Sequence, residues 1–146
     1  MTTLGFKKAI ATAMGVTALI GAALPASAQV SYMKVTVPFN FVAGRAELPA
    51  GDYRIQVDAR TGVLQIQPAS ANATYSALLS PGGDSRSGAQ SEQGALRFEK
   101  VNGKYYLGEV WRPAQEKGNK LSLQKSVEKE RASSGGAVST VDVTVR

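Results

Sequence analysis

ALRFEKVNGKYYLGEVW, from Ala95 to Trp111, is the stretch that decides the fold. Two β-rich segments flank Asn102-Gly103, and Asn-Gly supplies the two positive φ angles that a type I′ turn requires. The stretch therefore reads as a β-hairpin with arms over 95–101 and 104–111. By strict alternation Tyr105 and Trp111 share one face and Tyr106 lies on the other. One face is expected in the core, and the other could present aromatics to a glycan or peptide.

The same period of two runs upstream. Met33, Val35, Val37, Phe39 and Phe41 alternate with Lys34, Thr36, Pro38 and Asn40, which predicts one strand that lies at a sheet edge or bends at Pro38. After a turn at Leu48-Pro49-Ala50-Gly51-Asp52, Tyr53, Ile55 and Val57 mark a second strand. Arg60-Thr61-Gly62 turns into a third at Leu64 and Ile66, and a fourth is expected over 73–80. From Pro81 to Gly94 there is no large apolar side chain, so 81–94 is expected to be a flexible loop.

Downstream, Lys117-Gly118-Asn119 reads as a second loop. Leu123 and Val127 then stand four apart among charged residues, which predicts one short helix over 122–132 with Ser122 as its N-cap. Ser133-Ser134-Gly135-Gly136 ends it, and Val141, Val143 and Val145 alternate along a last strand. About seven strands and one short helix near residues 122–132 give an all-β fold, an antiparallel sandwich or barrel; alternation does not separate the two.

Three segments, taken together, resemble a family of small exported bacterial proteins. They are Val37-Pro38-Phe39-Asn40-Phe41 (V-P-F-x-F), Leu48-Pro49-Ala50-Gly51-Asp52-Tyr53 (L-P-A-G-x-Y), and the hairpin ending in Glu109-Val110-Trp111. The likeness spans roughly Val35 to Ala132. It implies export and an all-β fold, and it transfers no site residues.

The N-terminus carries the export signal itself. Lys7 and Lys8 precede an uncharged run from Ala9 to Leu24, then Pro25 and the triplet Ala26-Ser27-Ala28. Residues 1–28 are expected to be a signal peptide cleaved after Ala28, leaving one β-rich domain over 29–146 that is secreted or periplasmic. Sixteen uncharged residues fall short of the roughly 20 that span a bilayer, and nothing later is long enough either, so no membrane span is expected in the mature form. Without the two leader lysines, the 17 basic groups become 15 against 11 acidic ones. That mild excess is interleaved rather than striped, so no nucleic-acid partner is expected.

Histidine and cysteine are both absent. This removes imidazole- and thiolate-based nucleophilic sites and the usual zinc ligands. Ser122-Leu123-Gln124-Lys125 matches the S-x-x-K of penicillin-recognising enzymes, but no K-T-G follows and the motif is assigned no chemistry. Glu99 and Glu109, on opposite arms of the hairpin, are the carboxylates best placed to face each other, with ordinary cross-strand pairing as their expected role. No catalytic, cofactor-binding or metal-ligating residue is assigned. The expectation is a non-catalytic exported β-module that binds a protein partner at its sheet edges, the Pro38 strand and the strand over 138–145, or contributes to an envelope assembly. Two alternatives stand beside it. One is a carboxylate-based hydrolase built on Glu99 or Glu109. The other is a β-barrel carrier of a small apolar ligand.

Overall fold

Where apolar and polar side chains alternate, the chain is strand in the computed structural model, which describes residues 32–133 and 138–146. The signal segment over 1–28 and the Ser134-Gly135-Gly136 joint lie outside the described residues. In chain order the strands are β1 (Met33–Val37), β2 (Phe41–Ala43), β3 (Ala46–Leu48), β4 (Gly51–Asp58), β5 (Val63–Pro68), β6 (Tyr75–Ser85), β7 (Ala95–Val101), β8 (Lys104–Trp111), β9 (Lys117–Leu121) and β10 (Ser139–Thr144). A single-turn helix α1 (Ala89–Glu92) and the longer α2 (Lys125–Ser133) complete the set. Asn102 and Gly103 take φ of 49° and 81°, as a type I′ turn needs, and close β7 onto β8.

Among the described residues ten strands stand where about seven were expected, for identifiable reasons. Pro38 offers no backbone N–H, and the strand predicted over Met33–Phe41 breaks there. Beyond it the chain leaves β4 and pairs β2 with β8, Phe41 opposite Tyr105 and Val42 opposite Tyr106, in parallel. The sheet is therefore mixed rather than purely antiparallel. Gly44, at φ 62°, then turns β2 into the short strand β3. The expected loop at Lys117-Gly118-Asn119 is strand β9, held between β6 and β8.

The loop expected over 81–94 is also corrected. Its first five residues prolong β6 along β9, Arg86 N–H donates to the Glu116 carbonyl at 2.7 Å, and α1 follows. At Gly83 the missing side chain reflects crowding by a neighbour, described below. Helix α2 starts at Lys125 instead of Ser122, with the Gln124 carbonyl accepting from Val127 and Glu128 N–H groups at 2.9 and 3.1 Å. Ser122 thus precedes the helix and is not its cap, and the S-x-x-K pair does not share a helical turn.

The strands form one large sheet in the order β1-β4-β5-β6-β9-β8, with β8 forking to β2-β3 on one side and β7-β10 on the other. The sheet curls so that its inner face closes on a single core. Val35, Val37, Tyr53, Ile55, Leu64 and Ile66 from one end meet Phe41, Leu48, Leu96, Phe98, Leu107 and Val145 from the other. It is not closed into a barrel. Its two ends touch where Lys34 and Arg146 exchange backbone hydrogen bonds of 2.9 and 2.8 Å. We call this line, where β1 approaches the end of β10, the seam. The barrel that a ligand carrier needs is not formed, and the inner face is filled with side chains.

The terminal strand belongs to this sheet. β10 pairs with β7 over Ser139–Thr144, Val145 N–H donates to the Gly94 carbonyl at 3.0 Å, and the Val145 side chain is in the core. At the β4–β5 turn, the Thr61 hydroxyl and the Arg60 and Thr61 N–H groups hold the Asp58 carboxyl below its ordinary range. A chain lacking residues 138–146 should lose cooperative unfolding in urea, because β7 would be left with an exposed edge and the core with a gap. An unchanged midpoint would show that the tail is not a structural strand.

Candidate functional site

The chemistry-bearing residues gather on the outer face of the β7–β8 hairpin, and a bulge puts them there. Arg97 pairs with Glu109 while Phe98 pairs with Leu107, so Gly108 has no partner across the ladder. One extra residue reverses the alternation. Leu107 and Val110 consequently both face the core, while Glu109 and Trp111 turn outward. Tyr105 stays with the core, stacked on Phe39 at 4.0 Å, and Phe39 and Phe41 meet Phe98 edge-on at 5.1 and 5.2 Å. The face shared by Tyr105 and Trp111 in strict alternation is thus not formed, and neither is an exposed aromatic patch. Trp111 is fully buried, and among the described residues the exposed large hydrophobics are Tyr32 and Leu78.

Trp111 is buried because the glycine-rich end of β6 roofs it. Its indole N–H donates to the Asp84 carbonyl at 3.1 Å. A Cβ on Gly118 would lie 2.7 Å from the ring, and one on Gly83 would lie 2.6 Å from the Gly118 backbone. Two layers of bare backbone therefore cover the indole, which is the physical reason for glycine at positions 83 and 118. Arg97 and Arg86 close the remaining sides, with guanidinium carbons 4.7 and 5.1 Å from the ring centre.

Across the same face runs a row of alternating charge. Asp142 on β10, Arg97 on β7, Glu109 on β8 and Lys120 on β9 are successive cross-strand partners. Arg97 grips Asp142 with both Nε (2.8 Å) and Nη2 (3.1 Å), and reaches Asp84 with Nη1 at 2.7 Å. This grip raises the Arg97 guanidinium above its ordinary value, although burial pulls the other way. Glu109, only 6% exposed, has Arg97 and Lys120 each at 3.6 Å and accepts from Asp84 N–H at 3.4 Å. Glu99 sits one row along, opposite Tyr106, with Arg131 of α2 at 3.4 Å.

Glu99 and Glu109 are therefore brought to one place, as the hydrolase alternative requires. They line a cleft of about 280 Å³ together with Asp84, Arg97, Lys120 and Arg131. One oxygen of each, Oε2, is buried without a hydrogen bond. Both are nonetheless paired with cations, Glu99 with Arg131 and Glu109 with Arg97 and Lys120, in a network that also takes in Asp84, Asp142 and Arg86; Glu128 of α2 lines the cleft beside them. Among the described residues, no three His, Cys, Asp or Glu side chains are grouped so as to hold a metal ion.

A second surface lies at the seam, between the two strands that the sequence offered as partner-binding edges, although no individual residue was assigned there. Beside β1, β4 and the end of β10 is a groove of about 560 Å³, lined by Lys34, Thr36, Asp52, Arg54, Thr144 and Arg146. Arg146, Lys34 and Arg54 are successive neighbours across three strands, all exposed and all cationic. Their positions were visible only as the wet faces of strands, since nothing in the sequence says that β1 adjoins β4 or that β10 returns to β1. Comparison with family models, with curated proteins and with solved structures returns no match to this chain.

Two outcomes test the outer face. Arg97→Ala strips the neutralising cation from three carboxylates and should cost about 2–4 kcal/mol in urea unfolding, with Arg97→Lys recovering little because a point charge lacks the fork. A loss within experimental noise would mean that the row is ornamental. Gly118→Ala should cost about 1–3 kcal/mol by driving a methyl into the indole, and a red-shifted Trp111 emission should accompany it. Wild-type emission and stability together would contradict the packing described.

Proposed function

We propose that the protein is an exported, non-catalytic β-module that binds a partner along the seam between β1 and β10. The observation that carries this reading is the state of the two edges. Val145 bonds to the β7 side, so the N–H and carbonyl groups of Thr144, one residue back, point away from β7. Lys34 bonds across the seam, so those of Thr36 point across it, towards Thr144. Among the described residues no strand pairs with either edge beyond the Lys34–Arg146 contact. Edge groups of this kind are what a partner strand or polar ligand takes up.

The hairpin cleft supports the same conclusion by contrast. Glu99 and Glu109 are paired with cations of neighbouring elements, and the ion pairs of this face hold β7, β8, β9, β10 and α2 together. Export follows from the leader at residues 1–28. Among the described residues no helix is long and apolar enough to cross a membrane. The tail is not a detachable docking arm, so a partner meets the folded sheet and not a free strand.

A photo-crosslinking residue placed at Thr36 or Thr144 in the native host should yield a discrete heavier adduct in the exported fraction. The same residue at Gln65, exposed on the interior strand β5, should yield none. Mass spectrometry of that fraction should find chains beginning at Gln29. Adducts independent of position would overturn seam binding, and a membrane-held chain beginning at Met1 would overturn export.

A further inference from the structure

We propose that the groove at the seam is a phosphoryl-binding site formed by Lys34, Arg54 and Arg146. The proposal rests on the reading of the seam as the contact surface and names the chemistry taken there. Lys34 stands directly opposite Arg54 in the β1–β4 ladder, and Arg146 stands directly opposite Lys34 across the seam. Residues so placed project to the same side of the sheet. Like charges in that relation repel and weaken the pairing of their strands. Among the described residues none of the three forms an ion pair.

Asp52, the one acid in the groove, does not relieve them. Its carboxylate accepts from the Thr36 hydroxyl at 2.5 Å, two pairs along the ladder on the same face. The four charged side chains of the groove thus sum to +2. Both arginines and the lysine are flexible, exposed donors, and three strands at about 4.8 Å spacing set their bases within about 10 Å of each other. Donors carried side by side on three neighbouring strands suit a group with three acceptor oxygens.

The shape of the row selects among anions. A carboxylate carries one charge and two oxygens, and a single arginine fork satisfies it. A phosphate monoester carries close to two charges and three strong acceptor oxygens, which matches the number of donors. A polyanion track is disfavoured by length, because the row ends on β5 at Gln67, the uncharged partner of Arg54. The site takes one phosphoryl group, either free or at the tip of a larger molecule.

The test uses the purified full chain, with inorganic phosphate as one probe and phosphatidylcholine vesicles with or without phosphatidic acid as the other. Phosphate titration followed by amide NMR should give saturable shifts centred on Lys34, Arg54 and Arg146. Lys34→Gln/Arg54→Gln should weaken binding about tenfold or more, whereas Arg60→Gln, an exposed cation at the far turn, should leave it unchanged. Binding of both probes assigns the site to phosphate-sized anions generally, and binding of phosphatidic-acid vesicles alone assigns it to a lipid headgroup. The double variant should unfold at the same urea concentration as wild type or a higher one, since it removes a repulsion. Shifts spread without saturation over all lysines and arginines, or equal affinity in the double variant, would overturn the proposal. Seam crosslinks without phosphate binding would remove this ligand and leave the partner-binding reading standing; the reverse result would do the opposite.

Discussion

One unpaired residue in a ladder, Gly108, sets the character of the outer face. Had β8 alternated without interruption, Glu109 and Trp111 would share the parity of Leu107 and point into the aromatic core. Burying an unpaired carboxylate there would cost several kcal/mol. The bulge spares that cost by turning Glu109 to face Arg97. It also creates a new demand, because an indole now stands on a face that would otherwise be wet. The glycines of β6 and β9 and the guanidinium groups of Arg86 and Arg97 meet that demand. The extended β6, the strand β9 and the anchoring of β10 through Asp142 can all be traced to covering what the bulge exposes.

Two charged rows cross this sheet, and they obey different rules. In Asp142–Arg97–Glu109–Lys120 the signs alternate, and the central pair is largely removed from water. An uncompensated charge there would be expensive, so compensation is a structural requirement. In Arg146–Lys34–Arg54 the signs are all positive and the side chains lie in solvent. Water and salt reduce their repulsion to a modest cost. Exposure therefore decides which row is free to carry an imbalance, and an imbalance is what a charged ligand recognises.

Much of the sheet was legible in the sequence because its signals are local. Asn102-Gly103 fixes its turn by backbone sterics, and the alternation of Tyr53, Ile55 and Val57 fixes a strand whatever its neighbours. The misses came from non-local causes. The run from Pro81 to Ser85 looks like a loop because what it packs on, Gly118 under Gly83 and the indole of Trp111 at the Asp84 carbonyl, lies 26 residues or more along the chain. Lys117-Gly118-Asn119 looks like a loop for the same reason, since Gly118 is small to admit that indole. The bulge at Gly108 has no signature beyond a glycine in a strand. Of the candidate sites, Glu99 and Glu109 could be found by their placement on a hairpin. The cationic row could not, because its three members come from positions 34, 54 and 146.

The seam admits a plainer account that must be weighed. Exposed sheet edges are commonly guarded against aggregation by lysine, by proline and by short strands. β1 has Lys34, ends before Pro38 and is five residues long, so edge protection accounts for it fully. It does not account for Arg54. That residue lies on β4, which is paired on both sides by β1 and β5 and has no edge to guard. A glutamate at position 54 would leave Lys34 free to protect the edge and would turn a repulsive pair into an attractive one. Holding an arginine there, beside a second arginine returned across the seam by β10, serves the groove and not the sheet.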